Sequence, residues 1–140
     1  MSFLLDTNAV SEIRRGRDPQ VRAWTVAVDD AELHLSVMTL GEIRTGIDRL
    51  RDHDAAQADV FARWLGELRT RFAGRILPVD ARVADQWGRL NAVATRNTVD
   101  SLIAATAHVH DLTVVSRNTK DFQACDVPLL NPWEYEPSEE

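Results

Sequence analysis

Short apolar runs alternate with longer stretches of helical periodicity along the whole chain, and this alternation constrains the fold more than any other feature. Phe3-Leu4-Leu5 reads as a buried strand that stops at Asp6. A brief helix from Asn8 or Ser11 is stopped by Gly16, and Pro19 suits the first turn of a second helix through Trp24 and Val28. Residues 33–37 read as the second strand. Thr39 is placed to cap a helix carrying Leu40, Ile43, Ile47 and Leu50 at helical spacing. Asp54 begins the next helix, with a wide stripe of Val60, Phe61, Trp64, Leu65, Leu68 and Phe72. Residues 75–79 form the third predicted strand, and Asp80 the cap of a helix with Val83, Trp87, Leu90 and Ala94 at helical spacing. Asp100 opens a nearly all-apolar helix, residues 113–116 form a strand, and a last short strand covers residues 127–130. Strands alternating with helices predict an α/β fold built on a parallel sheet. In such sheets ligands gather outside the carboxyl ends of the strands, which turns the position of every acid into evidence.

The 140 residues suffice for one domain with a real core, expected over residues 1–136, with residues 137–140 as a disordered tail. No apolar run approaches the ~20 residues a membrane span requires, and the N-terminus lacks the pattern of a secretory signal. A single cysteine, Cys125, excludes an internal disulfide and a thiolate-built zinc site and suits a reducing, cytoplasmic location. The formal charge of −6 argues against a simple polyanion binder. Either the acids cluster to hold a metal, or the surface is merely acidic. Among the sixteen basic residues only Lys120 is not arginine, a bias that suits phosphate pairing but also follows from genome composition.

Four carboxylates fall where such a sheet collects its ligands. Asp6 ends the first strand, and Asp121 follows the strand that closes near Ser116. Glu42 lies early in the helix after the second strand, and Asp100 joins the others if its helix starts at the same edge. Each acid has an ordinary use as well: Asp6 or Asp100 as a helix cap, Glu42 as a partner of the helix dipole, Asp121 as a surface acid. Taken together, four ionised carboxylates within a few ångströms repel one another unless a hard divalent cation joins them. Mg²⁺ takes oxygen ligands, acidifies water and neutralises charge on a phosphoryl oxygen, so metal-assisted phosphodiester hydrolysis is the natural chemistry.

The motifs also resemble a known family. Phe3-Leu4-Leu5-Asp6-Thr7-Asn8 with Ser11-Glu12 resembles the opening of PIN-domain proteins, specifically VapC-type toxins of type II toxin–antitoxin systems. Thr39-Leu40-Gly41-Glu42-Ile43 with Gly46 resembles their second motif, residues 100–107 the third, and residues 116–122 the fourth. Residues 75–80 and Asn131-Pro132-Trp133 are similar to the FitB-like branch. The likeness covers essentially the whole chain, with the motifs in order. It implies a three-layer α/β/α fold around a central parallel sheet and a Mg²⁺-dependent endoribonuclease, with Mn²⁺ as a substitute ion. It implies that Asp6 and Asp100 bind the metal most directly, that Glu42 binds it or orients the attacking water, and that Asp121 completes the pocket. Thr7 and Asn8 are then expected to steady the loop around Asp6, and Ser116 or Asn118 to position a water.

The same resemblance implies a VapB-like antitoxin that silences the toxin, a homodimer within the complex, and operator DNA bound only through the antitoxin. The implied substrate is RNA, with transfer and ribosomal RNA as candidates. Two departures stand out: Asn118 where relatives often carry aspartate, and Thr98 where they often carry proline. Asn118 leaves open whether it or Asp121 supplies the fourth ligand.

Other residues carry less. His108 and His110 suggest general acid–base catalysis, but they lie beyond Asp100 at the far end of its helix and are expected at the surface. The stripe from Phe61 to Phe72 is expected in the core, with part of it available to an antitoxin, and Arg14, Arg15, Arg17 and Arg44 are candidates for guiding RNA phosphates. A haloacid-dehalogenase-like phosphatase also opens with a strand ending in aspartate, but it needs a second aspartate where this chain has Asn8. A catalytically degenerate PIN domain serving as a binding module is the other alternative.

Overall fold

The computed structural model describes residues 1–137; most of the predicted tail, residues 138–140, lies outside the described residues. In chain order the strands are β1 (Phe3–Leu5), β2 (Leu33–Ser36), β3 (Ile76–Leu77), β4 (Thr113–Val115) and β5 (Leu129–Leu130). The helices are α1 (Thr7–Arg15), α2 (Pro19–Ala27), α3 (Val37–Arg51), α4 (Ala55–Arg71), α5 (Ala81–Val93), α6 (Thr98–His110) and α7 (Thr119–Gln123). All strand pairs are parallel, in the order β3-β2-β1-β4-β5. The expected α/β architecture with a parallel sheet is therefore the one observed.

Strand alternation divides the core into two sides. Phe3 and Leu5 of β1, with Leu33, Leu35 and Val115, face α1 to α4, meeting Val10, Trp24, Ile47, Leu65 and Phe72. Leu4 and Val114 point the other way, onto Val83, Ile103, Ala104, Ala107 and Phe122 of α5, α6 and α7. Successive side chains on a strand face opposite sides, so two helical layers sandwich one sheet. The small residues of α6 (Ala104, Ala105 and Ala107, all fully buried) let that helix lie close against the sheet.

Most boundaries follow the local chemistry read from the sequence. Gly16 closes α1 at φ 63°, a left-handed conformation that costs a side-chain-bearing residue about 1 kcal/mol. Asp18, Asp54 and Asp80 cap α2, α4 and α5 through their side chains. Two caps differ from expectation. Ser36, not Thr39, caps α3, accepting from the Met38 N–H, so that helix begins earlier and Thr39 is fully buried inside it. Asn97, not Asp100, caps α6. The short α7 had no counterpart among the predicted elements.

The chain runs outward from β1 to β2 and β3, then crosses back to place β4 on the other side of β1. The direction of sheet growth reverses between β1 and β4, and the carboxyl ends of these two strands flank the crevice where α/β sheets bind ligands.

Candidate active site

Asp6 stands at that reversal. Its N–H donates to the Val115 carbonyl (3.0 Å), closing the pairing of β1 with β4. Its carboxylate then caps α1, with Oδ1 accepting from the Ala9 N–H at 2.8 Å. The ordinary use of Asp6 as a cap is thus real, but it occupies one oxygen of a side chain only 5% exposed. Burial raises its pKa, the Ser116 hydroxyl and the Ala9 N–H pull it back, and the charge of Glu42 pushes it up again.

Glu42 reaches the site from the second turn of α3. Thr7 Oγ1 donates to Glu42 Oε1 at 2.5 Å and lies 3.4 Å from Thr39 Oγ1. The residue after Asp6 therefore ties the first acid's loop to α3, and the early start of α3 is what brings Thr39 inward to meet it. Asn8, expected to share this steadying part, is exposed.

Because α6 runs from the crevice towards the start of β4, its N-terminus lies at the carboxyl edge of the sheet and brings Asp100 to the other acids. Asn97 Oδ1 accepts from the Asp100 N–H at 3.1 Å, so the Asp100 side chain is released from capping. Burial, followed by the charges of Asp6, Asp121 and Glu42, raises the Asp100 pKa to about 6. The start of α6 is held further by Ser101, whose Oγ accepts from Trp87 Nε1 at 3.0 Å and lies 2.9 Å from the Asn97 carbonyl it donates to. Neither Asn97 nor the Trp87–Ser101 pair was identified from the sequence as part of the site. The cap was legible in Asn97-Thr98-Val99-Asp100, whose spacing suits a helix start, whereas the Trp87 contact depends on how α5 packs on α6.

Asp121, in the first turn of α7, shares with Asp100 a cavity of about 370 Å³ lined also by Thr95, Arg96, Asn97, Ser101 and Lys120. Asn118 donates its backbone N–H to Ser116 Oγ at 2.9 Å and its side-chain Nδ2 to Asp121 Oδ2. Asn118 thus meets Asp121 through Nδ2, and Ser116 links the Asn118 backbone to Asp6. His110 and His34 lie away from the acids, lining a separate cavity with Ser2.

Among the described residues no group of three or more His, Cys, Asp or Glu forms a ready-made metal cage. The acids are near enough for Glu42 to act on Asp6, and for Asp6, Asp121 and Glu42 to act on Asp100. Their oxygen donors are of the hard type that suits a cation such as Mg²⁺, which takes one or two carboxylates directly and keeps several waters. On the far side of Glu42 the surface changes character: Ile43, Ile47, Leu50, Phe61 and Trp64 line an apolar groove of about 270 Å³ that begins at Thr7 and Glu42. Phe61 and Trp64, expected in the core stripe, are only partly buried there, while Leu65, Leu68 and Phe72 are core.

Comparison with known proteins agrees with this geometry. The PIN domain family matches residues 3–127. The chain is 36% identical to Toxin FitB of Neisseria gonorrhoeae, covering 94% of this chain and 98% of that protein. It is 34% identical to VapC ribonuclease Y4jK of Sinorhizobium fredii, again over 94% of this chain and 98% of the relative. A crystal structure of FitAcB from Neisseria gonorrhoeae superposes with a TM-score of 0.85 at 36% identity, covering 94% of this chain and 99% of that one. With its acids at the reversal point of a five-stranded parallel sheet and these relatives matching nearly end to end, the chain belongs to the PIN domain family, in its VapC- and FitB-like branch.

Proposed function

We propose that this protein is the toxin of a type II toxin–antitoxin pair and acts as a metal-dependent endoribonuclease. The observation that carries the reading is the gathering of Asp6, Glu42 and Asp121 around Asp100, whose pKa burial and then their charges lift to about 6. A site that concentrates negative charge to this degree without a paired arginine or lysine is suited to a cation and, through it, to a phosphodiester. The relatives named as a toxin and as a ribonuclease support the same conclusion.

In this reading Asp6 and Asp100 hold Mg²⁺, or Mn²⁺ in its place, with Glu42 and Asp121 completing the oxygen set. When bound, the cation supplies positive charge against the charge that develops on the phosphoryl oxygens. Glu42, fixed by Thr7, orients the attacking water and accepts its proton. Ser116 and Asn118 hold the Asp6 and Asp121 carboxylates in position and offer hydrogen bonds to water in the crevice. A VapB-like antitoxin silences the enzyme by laying an apolar segment in the groove beside Glu42, which would keep RNA from the acids. The toxin works in the cytoplasm as a homodimer within the complex, and operator DNA is bound through the antitoxin alone.

The phosphatase alternative receives no support, since Asn8, where a second aspartate is needed, is exposed. The degenerate-domain alternative rested on Asn118; its side chain meets Asp121, and with Asp6, Glu42 and Asp100 all present the catalytic reading is favoured. Induction of the chain in growing bacteria tests the toxin reading. Growth arrest relieved by co-expressing the adjacent antitoxin gene is the expected result, and unimpeded growth would overturn it.

A further inference from the structure

The cavity beside Asp100 and Asp121 has a cationic wall for which hydrolysis by the four acids has no use. Arg96 comes to it from the segment joining α5 to α6, and Lys120 from α7. Arg96 Nη2 donates to the Ala124 carbonyl at 3.3 Å, bracing the fork against the end of α7. Its Nε–H is closed off from solvent and meets no acceptor among the described residues. Neither Arg96 nor Lys120 forms an ion pair with a described carboxylate, although other arginines of the chain do so with Glu12, Asp30, Asp48, Asp59 and Asp85. Asn97 spends its Oδ1 on the Asp100 N–H and so has Nδ2 left to donate.

A guanidinium braced at Ala124 with Nη N–H groups to spare, the chain's only lysine and an amide donor around one cavity make an anion subsite. The opposite flank of the acids is the apolar groove, which offers an anionic backbone nothing. We infer that Arg96 and Lys120 hold the phosphate of a single-stranded RNA next to the one being cleaved, so that the strand runs from the acids over α7 and away from the Glu42 groove. The two are positioning residues: they fix the strand's register without touching the reacting phosphate. The inference rests on the ribonuclease reading for its substrate, but its test reads binding as well as cleavage.

The test uses Arg96→Gln and Lys120→Gln in two backgrounds. In the cleavage-inert Asp6→Asn protein with Mg²⁺, the affinity for a fluorescent single-stranded RNA is measured by anisotropy across a range of KCl concentrations. Each substitution is expected to weaken binding roughly three- to tenfold at low salt. Each also lowers the salt slope by about 0.7, the value for one lost phosphate contact on a single strand. Arg96→Lys restores most of the slope, which a purely structural arginine would not. In the otherwise wild-type chain, KM rises while kcat stays within about twofold. Arg89→Gln, on the exposed face of α5 and paired to Asp85 at 3.2 Å, serves as the surface control and leaves both readouts unchanged. Unchanged affinity and slope in both variants would overturn the inference even if the wild type cuts RNA. Weakened RNA binding in a wild type that cuts nothing would sustain the subsite and overturn the nuclease reading.

Discussion

Thr7 Oγ1 donates to Glu42 Oε1 at 2.5 Å, joining the residue after the first acid to the second acid across thirty-five positions of sequence. The bond lies at the surface of the crevice, so its removal bears on the aim of Glu42 far more than on the fold. Thr7→Ala is expected to lower kcat for RNA cleavage by roughly tenfold while costing less than about 1 kcal/mol of stability. Cleavage kinetics and denaturant unfolding of the same preparations check both numbers; a loss of stability with unchanged kcat would contradict the assignment.

Asp100 is expected to stabilise the protein when it is neutralised. Its folded-state pKa is raised from 3.8 to about 6, chiefly by burial and then by Asp6, Asp121 and Glu42. The folded chain therefore holds the proton more tightly than the unfolded one. That advantage is complete below about pH 4 and is lost as pH rises through about 6, above which the charged carboxylate opposes folding. Asp100→Asn removes the opposition. Because Asp100 is partly exposed, solvent screening reduces the gain to on the order of 1 kcal/mol. Unfolding in EDTA should show the variant more stable than wild type at pH 8, with the difference largely gone at pH 4, and without ribonuclease activity at either.

Trp87→Phe keeps the ring against α6 but removes the donor to Ser101 Oγ. A loss of about 1 kcal/mol is expected from the missing hydrogen bond. Because Ser101 follows Asp100 directly, kcat should fall several-fold as well. A variant equal to wild type in both respects would show that Ser101 and Asn97 hold the helix start unaided.

The sequence placed three acids by the strands they follow and left Asp100 to topology. Asp6, Glu42 and Asp121 were legible because a parallel sheet gathers ligands at one edge and each comes soon after a strand. Asp100 was not, because apolar periodicity gives a helix without its direction, and only the path from β3 through α5 and α6 to β4 turns its first residues towards Asp6. The caps show the same limit on a smaller scale. Thr39 and Asp100 are good capping residue types, but Ser36 and Asn97 sit at the actual chain turns, and the displaced side chains meet Thr7 and line the acid cavity instead. Asn118, read as a departure from the family pattern, turned out to donate to Asp121, a contact that single-residue reasoning cannot supply. Trp87 and Arg96 were invisible for a related reason: each acts across a packing contact between elements, Trp87 on α6 and Arg96 at the end of α7.

The most direct test of the central claim is cleavage of total RNA by the purified chain and its Asp6→Asn variant, each with Mg²⁺ and with EDTA. Asp6→Asn keeps the shape of the α1 cap and removes one charge from the crevice. Cleavage by the wild type only with Mg²⁺, and by the variant in neither condition, is the predicted result. Equal cleavage by both proteins in EDTA would contradict a carboxylate site that works through a metal ion.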